Sequence, residues 1–150
     1  VKELTLTIIK PDAMRGNLAG KILAHLEAAG FELRAARMLR LNSDTAGGFY
    51  AEHLGKPFYE SLVEFMISGP VIVAALEREN AVAELRRVIG ATDPAQAEPG
   101  TVRKLYAASK SFNAIHASDS PQSAARELAY FFSRAELTDN NRPGKTEGLS

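Results

Sequence analysis

The chain reads as an α/β sandwich of the split β-α-β kind: βαββαβ, a four-stranded antiparallel sheet with helices packed on one face. Three observations lead there. Alternating or wholly apolar segments at 4–10, 31–41, 70–76 and 113–117 supply four strands. Segments of helical period, bounded by glycine, asparagine and serine, separate those strands. The length of 150 residues and the 45% hydrophobic content suit one core of ordinary size, too little for two comfortable domains.

Leu4-Thr5-Leu6-Thr7-Ile8-Ile9-Lys10 alternates, turns apolar and stops at Pro11, as a strand that ends in a lysine. Ile22, Leu23, Leu26 and Ala29 recur at helical spacing until Gly30. From Phe31 to Leu41 alternation returns, with Phe31, Leu33, Ala35, Leu39 and Leu41 on one face, opposite Glu32, Arg34 and Arg40. Residues 44–53 and 58–67 read as helices joined by the Gly55-Lys56-Pro57 turn, and 70–76 as a short buried strand. Asn80 opens a helix that Gly90 ends. The 91–112 stretch, with Asp93-Pro94 and Pro99-Gly100, has little periodicity, and so long a loop in a compact domain points to function. Asn113 to Ala117 is a short strand; Ser120 then caps a helix with Pro121 at its first position and an apolar side of Ala124, Leu128, Phe131 and Phe132. A domain over 1–137 and a polar tail over 138–150, extended or mobile, follow.

Eighteen basic residues balance eighteen acidic ones, so any polyanion must be held by a local cluster. The neutral balance and the lack of an aromatic-basic face argue against a nucleic-acid-binding module. Cysteine is absent, which excludes disulfides and thiolate chemistry, and His25, His53 and His116 lack a metal-ligand spacing. No apolar run approaches the roughly 20 residues that span a bilayer. With no secretory signal at the start, a cytoplasmic protein without membrane association is the expectation.

Candidate chemistry is local. Gly16-Asn17-Leu18-Ala19-Gly20-Lys21 fails as a P-loop: three residues separate its glycines, and Ile22 follows the lysine where Ser or Thr is required. Lys10 ends the strand face that carries Leu4, Leu6 and Ile8; a lysine there either snorkels to solvent or meets an anion. Arg86 and Arg103 bracket the irregular loop, which also carries Thr92 and Thr101; each arginine taken singly reads first as a solvated surface residue, but arginine forks and hydroxyls are what phosphate oxygens need, and the pairing with a long loop raises that reading. His53 and His25 read as surface or boundary residues. His116 stands late on a short strand among small residues, with Ser118, Asp119, Ser120 and Glu127 near enough in sequence to fix its tautomer; it is either a structural group or a nucleophile.

Several segments together resemble nucleoside diphosphate kinases of the bacterial type. They are Ile9-Lys10-Pro11-Asp12, Phe49-Tyr50-Ala51-Glu52-His53, Lys56-Pro57-Phe58, Ser68-Gly69-Pro70-Val71, Gly90-Ala91-Thr92-Asp93-Pro94, Pro99-Gly100-Thr101-Val102-Arg103 and Asn113 to Ser120, in the family's order and spacing over about residues 3–137. The resemblance implies a ferredoxin-like fold and a ping-pong transfer of the γ-phosphoryl of ATP, GTP or another nucleoside triphosphate to a nucleoside diphosphate, which maintains NTP and dNTP pools. It implies His116 as the nucleophile that becomes phosphohistidine, oriented by Glu127 with Ser120 in support. Lys10 and Tyr50 would lie close to the transferred group, Lys10 and Asn113 would hold the ribose 3′-hydroxyl, Arg86, Thr92 and Arg103 would bind phosphates, and Phe58 would stack on the base. Mg²⁺ would bridge phosphate oxygens without a dedicated protein site, and the chain would form a tetramer or hexamer. The chain departs from the family's usual pattern at Lys110, opposite the stacking phenylalanine, where an apolar residue is usual; at Lys104-Leu105-Tyr106, where an aspartate is replaced by Leu105; and at Ala117, where glycine is commoner.

Overall fold

The structure, a computed structural model, describes residues 2–137, so the expected tail at 138–150 lies outside the described residues. Four strands form one sheet: β1 (Lys2–Ile9), β2 (Glu32–Leu39), β3 (Val71–Glu79) and β4 (Ile115–Ala117), in the order β2-β3-β1-β4, with every neighbour antiparallel. This is the predicted split arrangement. The central strand β1 lies between β3 and β4, with Leu6, Ile8 and Ile9 fully buried. Burial of each such side chain contributes about 1.5–3 kcal/mol.

Helices cover both faces, where one was expected. Alternation along β1 sends Ile9 to one face and Leu6 and Ile8 to the other. On the first face lie α1 (Pro11–Arg15), α2 (Ala19–Ala28), α5 (Ala81–Ile89) and α6 (Val102–Tyr106), through Ala13, Ile22, Leu26, Leu85, Ile89 and Val102. On the second lie α3 (Ser43–Phe49), α4 (Tyr59–Met66) and α7 (Pro121–Phe131), through Ala46, Phe49, Met66, Leu128 and Phe131. The short α8 (Arg134–Leu137) lies against β2. Among the described residues no helix is long and apolar enough to cross a membrane.

The single row of apolar residues read along 31–41 is split. The register of β2 on β3 shifts between Leu33 and Ala35, leaving Arg34 as an extra residue. Leu33 therefore packs on the first face, whereas Ala35 and Leu39 pack on the second. The bulged Arg34 forms a salt bridge with Glu77, their side chains only 8% and 17% exposed, and donates to the Leu137 carbonyl at 2.7 Å. Asn80 starts α5 as predicted but makes no side-chain cap; Glu3 of β1 supplies it, accepting from the Val82 N–H at 2.7 Å.

Removal of one member of a buried pair strands the other charge. Glu77→Ala should lower the unfolding free energy by about 3 kcal/mol. Urea denaturation followed by circular dichroism measures this, and a loss under about 1 kcal/mol, the scale of an exposed pair, would mean that the bulge is not held by a desolvated pair.

Candidate active site

The sheet delivers a lysine and a histidine to the same place. Pro11 carries no amide hydrogen, so it ends β1 and occupies the first position of α1. The residue left between them is Lys10, 8% exposed, whose Nζ donates to Asn113 Oδ1 at 2.9 Å. Burial first, and then the Arg103 charge, hold its pKa down to about 8 against an opposing contribution from Asp12. On β4, His116 lies opposite Ile8, and its ring therefore projects onto the second face, edge-on to Phe49 and Tyr50.

His116 Nε2 lies 2.8 Å from Oε1 of Glu127, which α7 brings in 3% exposed. A carboxylate can only accept, so the proton sits on Nε2 and the Nδ1 lone pair is left without a partner among the described residues. Glu127 Oε1 also accepts from Ser118 Oγ at 2.7 Å, and Oε2 lies 3.7 Å from the Arg126 guanidinium. Burial pushes the Glu127 carboxyl up, but the hydrogen bonds from His116 and Ser118 and the positive charge of Arg126 outweigh it and hold the group below the usual range. For His116 burial is the largest influence and lowers its pKa; Glu127 pulls it up, Lys10 and Arg103 push it down, and the net is below 6.5. The imidazole is thus neutral at neutral pH.

These groups line a cleft of about 260 Å³ together with Tyr50, Arg86, Thr92, Arg103, Asp119 and Arg126. The Tyr50 hydroxyl is buried with no partner among the described residues, and burial, reinforced by Glu127, raises its pKa. It remains protonated, and Tyr50 lines the cleft. Arg103 is invested in the scaffold: it donates to the carbonyls of Gly90 at 2.9 Å, Ile115 at 2.8 Å and Asn113 at 3.4 Å. Three of its five N–H groups are thereby used, leaving two for a ligand. Gly90 permits this clamp, since its φ is +89° and a Cβ there would lie 2.5 Å from Thr101 Oγ1. A second hollow of about 500 Å³ shares Arg86, Thr92 and Arg103 but contains neither the histidine nor the lysine; the chemistry belongs to the smaller cleft.

The cleft brings together Lys10, Tyr50, Arg86, Thr92, Arg103, Asn113, His116 and Glu127 from distant parts of the chain. Ser120 stands apart: its hydroxyl caps α7 by accepting from the Ser123 N–H at 3.0 Å, and the hydroxyl on Glu127 is that of Ser118. Phe58 does not line the cleft but stands at its mouth, 48% exposed, its ring 5.3 Å from that of His53. His53, read from sequence as a surface residue, does line it, because the 3₁₀ turn Ala51–His53 carries it round to the side of Tyr50. Arg126 and Glu52 are further residues the sequence reading missed. The available signal was the spacing of Glu52 from Tyr50 and of Arg126 from Glu127.

The departures at 104–112 have local consequences. Lys104 Nζ reaches the Pro94 carbonyl at 3.4 Å, tying α6 to the preceding turn, while Leu105 is 53% exposed. Phe112 packs edge-on against Phe65 of α4 with ring centroids 5.2 Å apart. Ala114 adopts φ +72°, a left-handed conformation that costs a non-glycine residue on the order of 1–3 kcal/mol.

The family model for nucleoside diphosphate kinase matches residues 3–137. A nucleoside diphosphate kinase of Sorangium cellulosum is 56% identical over 135 residues, covering 90% of this chain and 94% of the relative. One from Chlorobium limicola is also 56% identical, over 90% of this chain and 96% of its own. Among solved structures, the Aquifex aeolicus nucleoside diphosphate kinase superposes with a TM-score of 0.90 at 45% identity, covering 92% of this chain and 100% of that one. The Halobacterium salinarum enzyme in complex with CDP gives 0.90 at 38% identity, over 95% of both chains.

The charge arrangement makes a prediction about titration. The His116 ring resonances, followed by NMR, should titrate below 6.5. Glu127→Gln should move them lower still, because the carboxylate is what raises the value. A His116 titration at or above 6.5 would show that burial does not dominate.

Proposed function

The chain belongs to the nucleoside diphosphate kinase family, and on that premise we propose that its phosphotransfer runs through His116 in two half-reactions. In the first, the Nδ1 lone pair attacks the γ-phosphorus of a nucleoside triphosphate, the bridging P–O bond breaks and the diphosphate leaves. In the second, a terminal oxygen of another nucleoside diphosphate attacks the phosphorus and the P–N bond breaks, which regenerates the free imidazole. Two easier steps replace one transfer between polyanions. The observation that carries this reading is the 2.8 Å contact of Nε2 with Glu127, beside an Nδ1 without a partner among the described residues, in a cleft that also holds Lys10, Arg86 and Arg103.

Transfer of a phosphoryl group depends mainly on position and on neutralising charge. Lys10, Arg86 and Arg103 supply the positive field, and Thr92 and the Tyr50 hydroxyl supply donors to phosphate oxygens. Lys10 and Asn113, already joined at 2.9 Å, would hold the 3′-hydroxyl. Phe58 at the mouth would stack on the base, a contact open to every base and so to purine and pyrimidine, ribo and deoxy nucleotides alike. The CDP bound to the Halobacterium salinarum relative is compatible with that breadth. Ser118 stabilises the Glu127 carboxylate, and Ser120 contributes by holding the first turn of α7.

Mg²⁺ fits the donor set as a guest of the nucleotide. Among the described residues no group of three histidines or carboxylates could hold a metal by itself, while Glu52 and Asp119 line the cleft and would be the carboxylates to hold the ion through its waters. Bound there, the ion supplies neutralisation of charge on the phosphate oxygens. We take 1–137 as the kinase domain, in keeping with the match over 3–137, and 138–150 as a tail. A homotetramer or homohexamer in the cytoplasm completes the proposal. The partly exposed edge strand β2, with Met38 65% exposed, supports assembly.

Brief exposure to radiolabelled ATP with Mg²⁺ should label the protein in an acid-labile form that any nucleoside diphosphate discharges, and His116→Ala should take up none; equal labelling of that variant would contradict the mechanism. Lys10→Ala or Arg86→Ala should lower turnover at least tenfold, about 1.4 kcal/mol in the barrier, and unchanged kinetics in both would remove the phosphate assignment. Because Lys10 must be charged to meet phosphate, kcat/KM should fall as pH rises through about 8. A profile flat to pH 10 would show that its charge is not required.

A further inference from the structure

Asp12 follows the site lysine by two residues, and none of the roles above uses it. Its Oδ2 accepts from the Ala114 N–H at 3.0 Å. Ala114, fully buried with φ +72°, is the centre of a γ-turn closed by the Ile115 N–H on the Asn113 carbonyl at 2.9 Å. Its own carbonyl accepts from the Lys10 N–H at 2.9 Å. Pairing of β4 with β1 begins only at Ile115 opposite Ile9, so the sheet supplies no acceptor for the Ala114 amide. The turn separates two groups of the site, with Asn113 just before it and His116 two residues beyond.

We propose that Asp12 is a positioning residue: its carboxylate holds the Asn113–Ile115 turn in the left-handed form, and so sets Asn113 against Lys10 and His116 against Glu127. Without the acceptor, an alanine at this centre relaxes toward negative φ. The relaxed turn rotates the Asn113 side chain away from Nζ and shifts the start of β4, carrying the histidine off the line of transfer. The inference rests on the phosphohistidine reading, and it assigns the third residue of Lys10-Pro11-Asp12 to geometry rather than to substrate.

The test is single-turnover formation of phosphohistidine from ATP and Mg²⁺ in the full chain, with circular dichroism to verify folding. Asp12→Ala should label at least tenfold more slowly than wild type. Asp12→Asn, whose amide oxygen still accepts from Ala114, should stay within threefold. Ala114→Gly added to Asp12→Ala should recover at least threefold, because glycine takes a positive φ without strain; a role in general stability predicts no such recovery. Labelling of Asp12→Ala within twofold of wild type overturns the proposal, as does a double variant no faster than Asp12→Ala. Should Asp12→Ala fail to fold, Asp12→Asn decides alone: a tenfold loss there assigns the effect to charge and overturns the proposal. Wild-type protein that takes no label sinks the phosphohistidine reading and this inference with it, whereas normal wild-type labelling with an indifferent Asp12→Ala sinks only this inference.

Discussion

The site depends on one buried hydrogen bond, from His116 Nε2 to Glu127 Oε1 at 2.8 Å. A hydrogen bond to a charged group is worth about 1.5–3 kcal/mol, enough to fix one tautomer and leave the Nδ1 lone pair without a partner among the described residues. The rest of the second face keeps that bond in place. Phe49 and Tyr50 hold the ring edge-on, Ser118 occupies Glu127 Oε1 as well, and Arg126 faces Oε2 while donating to the Phe49 carbonyl at 3.3 Å. The carboxylate therefore stays ionised although burial pushes its pKa up.

A chain with no net charge still gathers four cations, Lys10, Arg86, Arg103 and Arg126, into a cleft that also carries Glu52, Asp119 and Glu127. Strand β1 ends at Lys10, the bend at Gly90 lets Arg103 reach three carbonyls, and Arg86 approaches from α5 with a hydrogen bond to the Ala117 carbonyl at 3.4 Å. Close cations depress one another: Arg103 is lowered to about 10, by burial first and Arg86 second, and Lys10 to about 8. An anion in the cleft would relieve their mutual repulsion, which is what the proposed phosphate site calls for.

Much of the fold was legible because periodicity reports which face a residue takes, and the strands at 4–10, 31–41 and 70–76 carry it clearly. The switch of face at Arg34 was not legible, since one extra residue in a ladder is visible only against the partner strand. The cap of α5 was equally hidden: Asn80 is the local candidate, but Glu3 arrives from a distant strand. At the site, the motifs pointed to His116, Lys10 and the arginines, which line one cleft. The serine partner was misassigned because Ser118 and Ser120 are indistinguishable by distance in sequence; helix capping consumes Ser120, and the turn out of β4 hands Glu127 to Ser118. His53 was missed because a three-residue 3₁₀ turn leaves no periodic trace.

In the proposed mechanism Glu127 reserves Nε2 and leaves Nδ1 to carry the phosphoryl group. Phosphorus NMR of the phosphorylated protein, compared with an alkaline hydrolysate resolved against the two phosphohistidine isomers, identifies the nitrogen directly. The account predicts the Nδ1 isomer on wild type. Phosphate on Nε2 would mean that the hydrogen bond to Glu127 is broken before transfer, and would contradict it.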